Sequence, residues 1–243
     1  MAKAGPRSVG TAGTAGTAGG AGGARERSAA TRAALVRAAI ESLREAGFAG
    51  CSAREVAQRA GCNQALVFYH FGSVSGLLLA ALDDVSERRM AAYRPLIEDR
   101  GASLAGLAAA AREIFAEDLA AGHVKVLVEL IAGAASVPGM GEQVAARLAP
   151  WRELTEAAVR GAVGRSPLAP LAPVRELAHG IVAGFLGLEM LAELDGSPEP
   201  ALALFDRFAA LASLADQAGL LGQQGLTALL ARALTSREGE GRR

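Results

Sequence analysis

Apolar side chains recur along this chain at the spacing of amphipathic helices, and no segment shows the alternation of a half-buried strand. The first clear stripe consists of Leu35, Val36, Ala39, Ile40 and Leu43. Gly47 follows it as a residue able to end a helix. Aromatic residues make up only 4% of the chain and Ala and Leu are abundant, which favours helix over strand. The pattern therefore predicts an all-α fold.

Residues typical of turns divide this pattern into successive helices. After the first helix, we expect helices at about 52–60, 63–70, 75–97, 103–121, 123–136, 141–163, 173–194, 199–217 and 225–236. Pro95 and the turn at 99–101 should close the helix that starts near Ser75. Pro150 is expected to kink the helix around it.

Composition and pattern together predict two domains and two tails. Residues 1–24 include a Gly/Ala/Thr tract with nothing to pack, which predicts a disordered tail. Residues 25–73 form a small three-helix unit with the features of a helix-turn-helix domain, and residues 74–236 form a larger helical domain. Residues 237–243 are expected to be a loose tail.

Charge is unevenly distributed although the whole chain is neutral. Residues 1–82 hold nine Lys or Arg against four Glu, whereas residues 83–243 hold sixteen basic against twenty-one acidic residues. A basic N-terminal part suits a nucleic-acid partner. Arg25, Arg27 and Arg32 could contact DNA phosphates, or they could simply form the solvated start of the first helix.

The cysteines and the apolar runs point to an intracellular protein. Cys51 and Cys62 flank a short predicted helix, which holds them too far apart for a disulfide. Two small buried thiols are the first interpretation, with a redox sensor as the alternative. The longest apolar run, 180–194, is interrupted by Glu189, which favours a buried helix over a membrane span. Without the apolar segment of a secretory signal at the N-terminus, we expect a cytoplasmic location and no membrane association.

The segment 52–70 carries the clearest functional pattern. Ser52 and Glu55 fit a capping box, and Gly61 supplies a turn before the helix 63–70, so two short helices form a helix-turn-helix. If Cys62, Val67 and Phe71 face the core, an unusual mixture of side chains points outward. These outward residues are Gln64, Ala65, Leu66, Phe68, Tyr69 and His70. Gln can read adenine, apolar groups can meet thymine methyls, and Tyr or His can bind phosphate.

This part of the chain resembles the TetR family of transcriptional regulators. The resemblance lies in Gly47-Phe48, the segment 52–61 (SAREVAQRAG), the segment 66–71 (LVFYHF) and Leu77-Leu78. It covers about residues 27–80 and implies an N-terminal helix-turn-helix domain followed by a larger helical domain that binds a ligand and dimerises.

The resemblance also implies roles for individual residues. Arg54 would read guanine, Gln64, Ala65 and Leu66 would occupy base-contact positions, and Tyr69 and His70 would bind the phosphate backbone. The family commonly has tyrosine where this chain has Phe68 and lysine where it has Val74, so one hydroxyl and one cation expected at phosphates are absent. Two alternatives stay open: Arg54 could pair with a nearby acid, and Phe68 could pack inward.

For the larger domain, the resemblance implies a homodimer formed by the last two long helices and a small effector bound between helices. Helix 173–194 carries Gly180, Gly184 and Gly187 among large apolar residues, and helix 199–217 is similarly apolar. Bulky or polar groups at helical positions are the pocket candidates, although most should be ordinary core: Tyr93, Phe115, His123, Trp151, His179 and Met190. An apolar pocket would suit a small hydrophobic effector. The scattered histidines lack metal-ligand spacing, and we expect no metal and no cofactor.

The function expected from the sequence is therefore a transcriptional regulator, most simply a repressor, that binds a palindromic operator as a dimer and is released by a small molecule. An enzyme is disfavoured because the chain has no phosphate-binding loop, nucleophile elbow or HExxH motif. The alternative is a DNA-binding regulator without a small-molecule ligand that responds to a protein partner.

Overall fold

The computed structural model describes residues 18–164 and 173–221, and within them it is entirely helical. The predicted all-α class is thus confirmed. The helices are α1 (Ala18–Ala46), α2 (Ala53–Arg59), α3 (Ala65–Phe71), α4 (Val74–Arg100), α5 (Leu104–Ala121), α6 (His123–Ala134), α7 (Met140–Arg147), α8 (Ala149–Val163), α9 (Val174–Asp195) and α10 (Glu199–Leu221). The predicted helix 225–236 and the tail 237–243 lie outside the described residues.

Three helices differ from the sequence expectation. Helix α1 begins at Ala18, inside the stretch expected to be a disordered tail. Helix α4 continues through Pro95 to Arg100 instead of closing near Ile97, because a proline on an exposed face removes one hydrogen bond without blocking the packed face. The single kinked helix expected at 141–163 is two helices, α7 and α8. Pro150 lies in the first turn of α8, where its missing N–H costs nothing.

One apolar core joins the N-terminal helices to part of the larger domain. Leu43 of α1, Val67 of α3 and Leu77 of α4 belong to the same buried cluster as Leu130 of α6 and Met140 of α7. Helices α6 and α7 therefore complete the core beneath the helix-turn-helix.

Helix α6 also docks directly on the turn between α1 and α2. The backbone N–H of Phe48 donates to a Glu129 carboxylate oxygen at 2.8 Å. Gly47, at φ 70°, lies so close to this carboxylate that a Cβ would collide with it. One turn along α6, the Phe48 ring covers Gly133, leaving no room for a side chain there.

The remaining helices form a second packed layer. Helix α5 lies along α10, and α8 lies along α9. Phe115, Phe185 and Phe205 bring α5, α9 and α10 together, with ring centroids 5.3 to 6.0 Å apart.

Neither cysteine supports a redox role. Both thiols are free, Cys51 is buried and Cys62 is half-buried. Burial raises the pKa of Cys51 to about 11, and it also raises the pKa of Cys62. Since the thiolate is the reactive form, both groups are poor nucleophiles at neutral pH.

Helix α9 is rich in apolar residues between its charged ends. Among the described residues, it is long and apolar enough on length and composition alone to cross a bilayer, as is the bent pair α3–α4. The buried helix expected from the interruption at Glu189 is therefore wrong for the described chain by itself, although Glu189 is buried. Little of α9 is buried within the chain, so its apolar surface needs a partner.

The tight contact between Phe48 and Gly133 yields a stability prediction. Gly133→Ala should lower the free energy of unfolding by about 1–3 kcal/mol, because the new methyl group overlaps the Phe48 ring. Gly141→Ala is the control, since its Cβ meets nothing within 4 Å, and it should leave stability equal or slightly higher. Urea unfolding followed by circular dichroism measures both, and equal stabilities for the two variants would contradict this packing.

Candidate functional site

Local hydrogen bonds begin α2 and form the turn that leads to α3, and the sequence predicts the capping box among them. Ser52 Oγ accepts from the Glu55 N–H at 3.2 Å, and the Glu55 carboxylate accepts from the Ser52 N–H at 3.4 Å, so the expected capping box is present. Gly61 ends the turn at φ 68°, a conformation that other residues rarely adopt. The Asn63 carboxamide oxygen then accepts from the Ala65 N–H at 2.9 Å and starts α3.

Helix α3 presents a mixed apolar and polar face to solvent. Val67 is fully buried, whereas Cys62 and Phe71 are half-buried against the core. Gln64 and Ala65 are exposed, as are Phe68 (51%) and Tyr69 (77%). Phe68 therefore does not pack inward.

Two residues expected to point outward from α3 are only partly accessible. Leu66 is half-buried and packs against the core, and His70 is half-buried with its ring edge-on to Tyr69 at a centroid distance of 5.0 Å. Because successive residues of a helix turn by about 100°, positions at the border of the exposed face are shared between core and surface.

Arg54 lies exposed on α2 and forms no ion pair with any described residue. The arginine that pairs on this helix is Arg59, which contacts Glu45 and lies 3.6 Å from Glu41 on α1. The hydrogen bond from Arg59 holds the pKa of Glu45 below the usual value. The surface arginine that pairs with an acid is therefore Arg59 and not Arg54. The Arg54 guanidinium remains available.

Helix α1 carries exposed basic residues, of which Arg32 lies beside α3. The Arg32 guanidinium lies over the Phe71 ring, 5.1 Å from its centroid, and Arg25 and Arg27 are exposed. Val74, at the position where a lysine was expected, is half-buried against the core.

A group of polar residues, here called the polar cluster, lies buried inside the larger domain. Asp118 of α5 accepts from three groups: the Tyr93 hydroxyl at 2.9 Å, the His123 ring at 3.2 Å and the Arg89 guanidinium. Arg89 also lies 3.4 Å from Glu189 of α9.

The polar cluster is incompletely paired. Among the described residues, Glu189 Oε2 and Arg89 Nε have no hydrogen-bond partner, although Glu189 is only 1% exposed. Burial raises the pKa of Glu189, and the Asp118 carboxylate adds to this while Arg89 opposes it. Burial and the neighbouring Asp118 also raise the pKa of Tyr93, which keeps its hydroxyl protonated as a donor.

The structure separates the six pocket candidates. Tyr93 and His123 meet at Asp118, and Trp151 joins them because the Arg89 guanidinium lies 5.1 Å from its ring centroid. The remaining three candidates have other positions: Phe115 is in the aromatic core, Met190 is half-buried on α9, and His179 is exposed.

The sequence pattern did not reveal the charged members of the cluster. Arg89, Asp118 and Glu189 were not among the pocket candidates. A charged residue among the core-facing positions of a predicted helix could have indicated the cluster, as Arg89 does one turn before Tyr93. Charged residues also occur where the apolar side of a helix borders on solvent, so this pattern is not specific.

A groove of about 420 Å³ opens between α4 and α8, close to this cluster. On α4 its lining includes Ile97, one turn beyond Tyr93, and on α8 it includes Leu154, one turn beyond Trp151. The groove therefore approaches Tyr93 along α4 and Trp151 along α8, but Asp118 and Glu189 do not line it.

Large apolar side chains are exposed on neighbouring helices α9 and α10. We call the following set the apolar face: Leu177, Ile181, Leu191, Leu194, Leu204, Phe208, Leu211 and Leu214. Phe185 and Phe205 on the same helices face inward instead. A Cβ added at Gly180, Gly184 or Gly187 would meet nothing within 4 Å, so packing within the described chain does not require these glycines.

Comparisons with known proteins agree with this architecture. Residues 35–81 match the family model of bacterial regulatory proteins of the tetR family. No curated protein sequence is similar enough to count as a relative. The structure is similar to that of a TetR-family member from Streptomyces coelicolor, with 26% identity and a TM-score of 0.56 over 73% of this chain and 97% of that one.

Two further solved structures share the fold. A transcriptional regulator from Rhodococcus sp. is 23% identical with a TM-score of 0.62, covering 76% of this chain and 97% of that one. The regulatory protein TetR from Rhodobacter sphaeroides is also 23% identical, with a TM-score of 0.60, and covers 73% and 96%.

The buried pair of Arg89 and Asp118 yields a second stability prediction. Asp118→Ala should lower the free energy of unfolding by about 3–5 kcal/mol, because it leaves Arg89 buried without its main partner. Glu113→Ala on the same helix is the control. It breaks an exposed pair with Arg100 and should cost no more than about 1 kcal/mol. Similar denaturant midpoints for the two variants would contradict the importance of the buried pair.

Proposed function

Because this chain belongs to the TetR family of DNA-binding transcription factors, we propose that it binds a palindromic operator as a homodimer and leaves it when a small effector binds. Its simplest role is repression in the cytoplasm. The observation that carries the proposal is the exposed face of α3, where aromatic and apolar side chains stand beside an unpaired Arg54.

This face has the chemistry needed to read DNA. Arg54 can donate two hydrogen bonds to guanine and Gln64 can pair with adenine, while Ala65 and Phe68 can contact thymine methyls. Tyr69 and His70 lie at the far end of α3, and their polar atoms suit phosphate. An exposed Phe68 is unfavourable in water, so a partner surface is needed to account for it.

Dimerisation is supported by the apolar face of α9 and α10. The exposed leucines form one stripe on two adjacent helices, and glycines without neighbours on α9 allow another helix to approach closely. A second copy would bury this stripe in a four-helix interface with two-fold symmetry. Two helix-turn-helix domains related by that axis match a palindromic operator.

Helix α6 can couple the effector to the DNA-binding surface. Its first residue, His123, contacts Asp118 in the polar cluster, and Glu129 and Gly133 further along hold the Phe48 turn beside α2. A ligand that repositions the start of α6 would move the helix-turn-helix domain with it. An effector then weakens operator binding by the difference in its affinity for the two states.

A small molecule fits the interior better than a protein partner does. The unpaired atoms of the polar cluster are buried, and a folded protein surface cannot reach them. The groove between α4 and α8 is of a size that a small molecule could occupy.

The DNA-reading roles predict a change in base preference. Arg54→Ala and Gln64→Ala should each weaken operator binding by about 1–3 kcal/mol and reduce the penalty for changing the contacted base pair. The control is Arg88→Ala, which removes an equal charge on α4, away from α3. Titrations against a series of single-base operator variants measure this, and an unaltered preference in the Arg54 and Gln64 variants would contradict their roles.

Substitutions at two equally exposed phenylalanines test dimerisation and DNA binding separately. Phe208 and Phe68 are each 51% exposed. Phe208→Glu should give a monomer in light scattering, because a charge in the apolar face opposes association. Phe68→Glu should remain dimeric but lose operator affinity. A monomeric wild-type protein, or a dimeric Phe208→Glu variant, would contradict the proposed interface.

A further inference from the structure

The N-terminal half of α1 extends beyond the core. The helix begins at Ala18, but its first buried residue is Leu35, and every residue in 22–34 is exposed or half-buried. At its other end α1 leads to Gly47, which lies against Glu129 of α6 in the larger domain. The segment 22–34 therefore points away from the larger domain, past the edge of the helix-turn-helix domain.

One side of this segment carries a set of exposed residues that we call the basic stripe: Arg25, Ser28, Ala29 and Arg32. Their spacing of three, four and seven residues places them on one side of the helix. The same spacing continues through Leu35, Val36 and Ala39, which are buried in the core. The basic stripe is therefore the core-facing side of α1, continued to where the chain supplies no core.

The side chain of Arg32 locates the basic stripe relative to α3. Its guanidinium lies 5.1 Å from the centroid of the Phe71 ring, and Phe71 is the last residue of α3. Tyr69 and His70, which suit phosphate, come directly before Phe71. Since a helix rises about 1.5 Å per residue, Arg25 lies about 10 Å further along α1. A DNA backbone held at the end of α3 can thus continue beside the basic stripe.

The basic stripe has the chemistry of a phosphate-binding surface. Arg25 and Arg32 form no ion pair with any described residue, so their guanidinium groups can donate to phosphate oxygens. The small side chains of Ser28 and Ala29 lie between them and allow a DNA backbone to approach closely. Glu26, the one acidic residue in 22–34, lies about 100° around the helix from Arg25.

A third arginine of the segment lies outside the basic stripe. Arg27 follows Arg25 by two residues, which places it about 200° around the helix. Its Nε donates to the carbonyl oxygen of Gly23 at 3.0 Å, on the same helix. Arg27 therefore faces away from the side that continues the core.

We propose that the basic stripe binds phosphates of the operator DNA through Arg25 and Arg32, next to the bases that α3 reads. This inference rests on the proposed function in one respect, that α3 binds DNA. Phosphate contacts add affinity and fix the position of the protein on the duplex, but they carry no base information. The N-terminal half of α1 thus strengthens binding without changing which sequence is chosen, and Arg27 takes no part.

Titrations of the full chain against an operator duplex at several salt concentrations test the basic stripe. The double variant Arg25→Ala/Arg32→Ala should bind at least about tenfold more weakly at low salt. Its plot of log affinity against log salt should be shallower by at least about 1, because each lost phosphate contact removes about 0.9 from the slope. Affinity for a duplex of scrambled sequence should fall by the same factor.

Two further variants separate a phosphate contact from a general effect of charge. Arg27→Ala/Arg88→Ala removes the same charge, one residue from the same segment but outside the basic stripe and one from α4, and should keep the wild-type slope. Arg25→Lys/Arg32→Lys retains both cations and should recover most of the lost slope. All of these residues are exposed, so circular dichroism should stay that of the wild type.

Three results would overturn the inference: an unchanged slope in Arg25→Ala/Arg32→Ala, an equal change in the control variant, or a loss of preference for the operator over the scrambled duplex. The wild type in the same titrations tests the proposed function. If the wild type prefers the operator and the variant keeps its slope, this inference alone fails. If the wild type binds no DNA, the inference and the proposed function fail together.

Discussion

The docking of the helix-turn-helix domain on α6 is the contact on which the rest of the architecture depends. The short helices α2 and α3 bury few side chains, and so small a unit cannot enclose a sufficient core alone. Its core is completed by Leu130 and Met140 of the larger domain, and its turn is held by Glu129. The position of α3 is thereby tied to the position of α6.

That interior contains an arrangement that stability alone does not explain. A buried ion pair such as Arg89 with Asp118 gains little over apolar residues of similar volume, because removing both charges from water is costly. A third charged group, Glu189, adds further cost and leaves an oxygen unpaired. Strongly perturbed ionisable groups are concentrated at functional sites. Through His123, the first residue of α6, the cluster is in contact with the helix whose Glu129 holds the turn before α2.

Two surfaces of this chain expose large apolar groups, and their surroundings distinguish their partners. Around Phe68 the neighbours are Gln64, Tyr69 and the unpaired Arg54, so the surface suits a polar, negatively charged duplex. Around Phe208 the neighbours are leucines on α9 and α10, together with glycines that have no contact of their own. That surface suits another apolar helix pair. Phe68 and Phe208 are therefore equally exposed but suit different partners, because the charges and the free space around them differ.

Four features follow from the amino-acid sequence without the fold: the helical class, the capping box at Ser52, the turn at Gly61 and the outward direction of Phe68 and Tyr69. All of these depend on interactions within a few residues, which local patterns report directly. The sequence did not determine that α4 continues past Pro95 or that Leu148 separates α7 from α8, because packing decides whether a helix survives a proline. Only the tertiary structure brought Arg89, Asp118 and Glu189 together. They lie on three helices far apart in the chain, and one sequence contains no signal for a contact between distant residues.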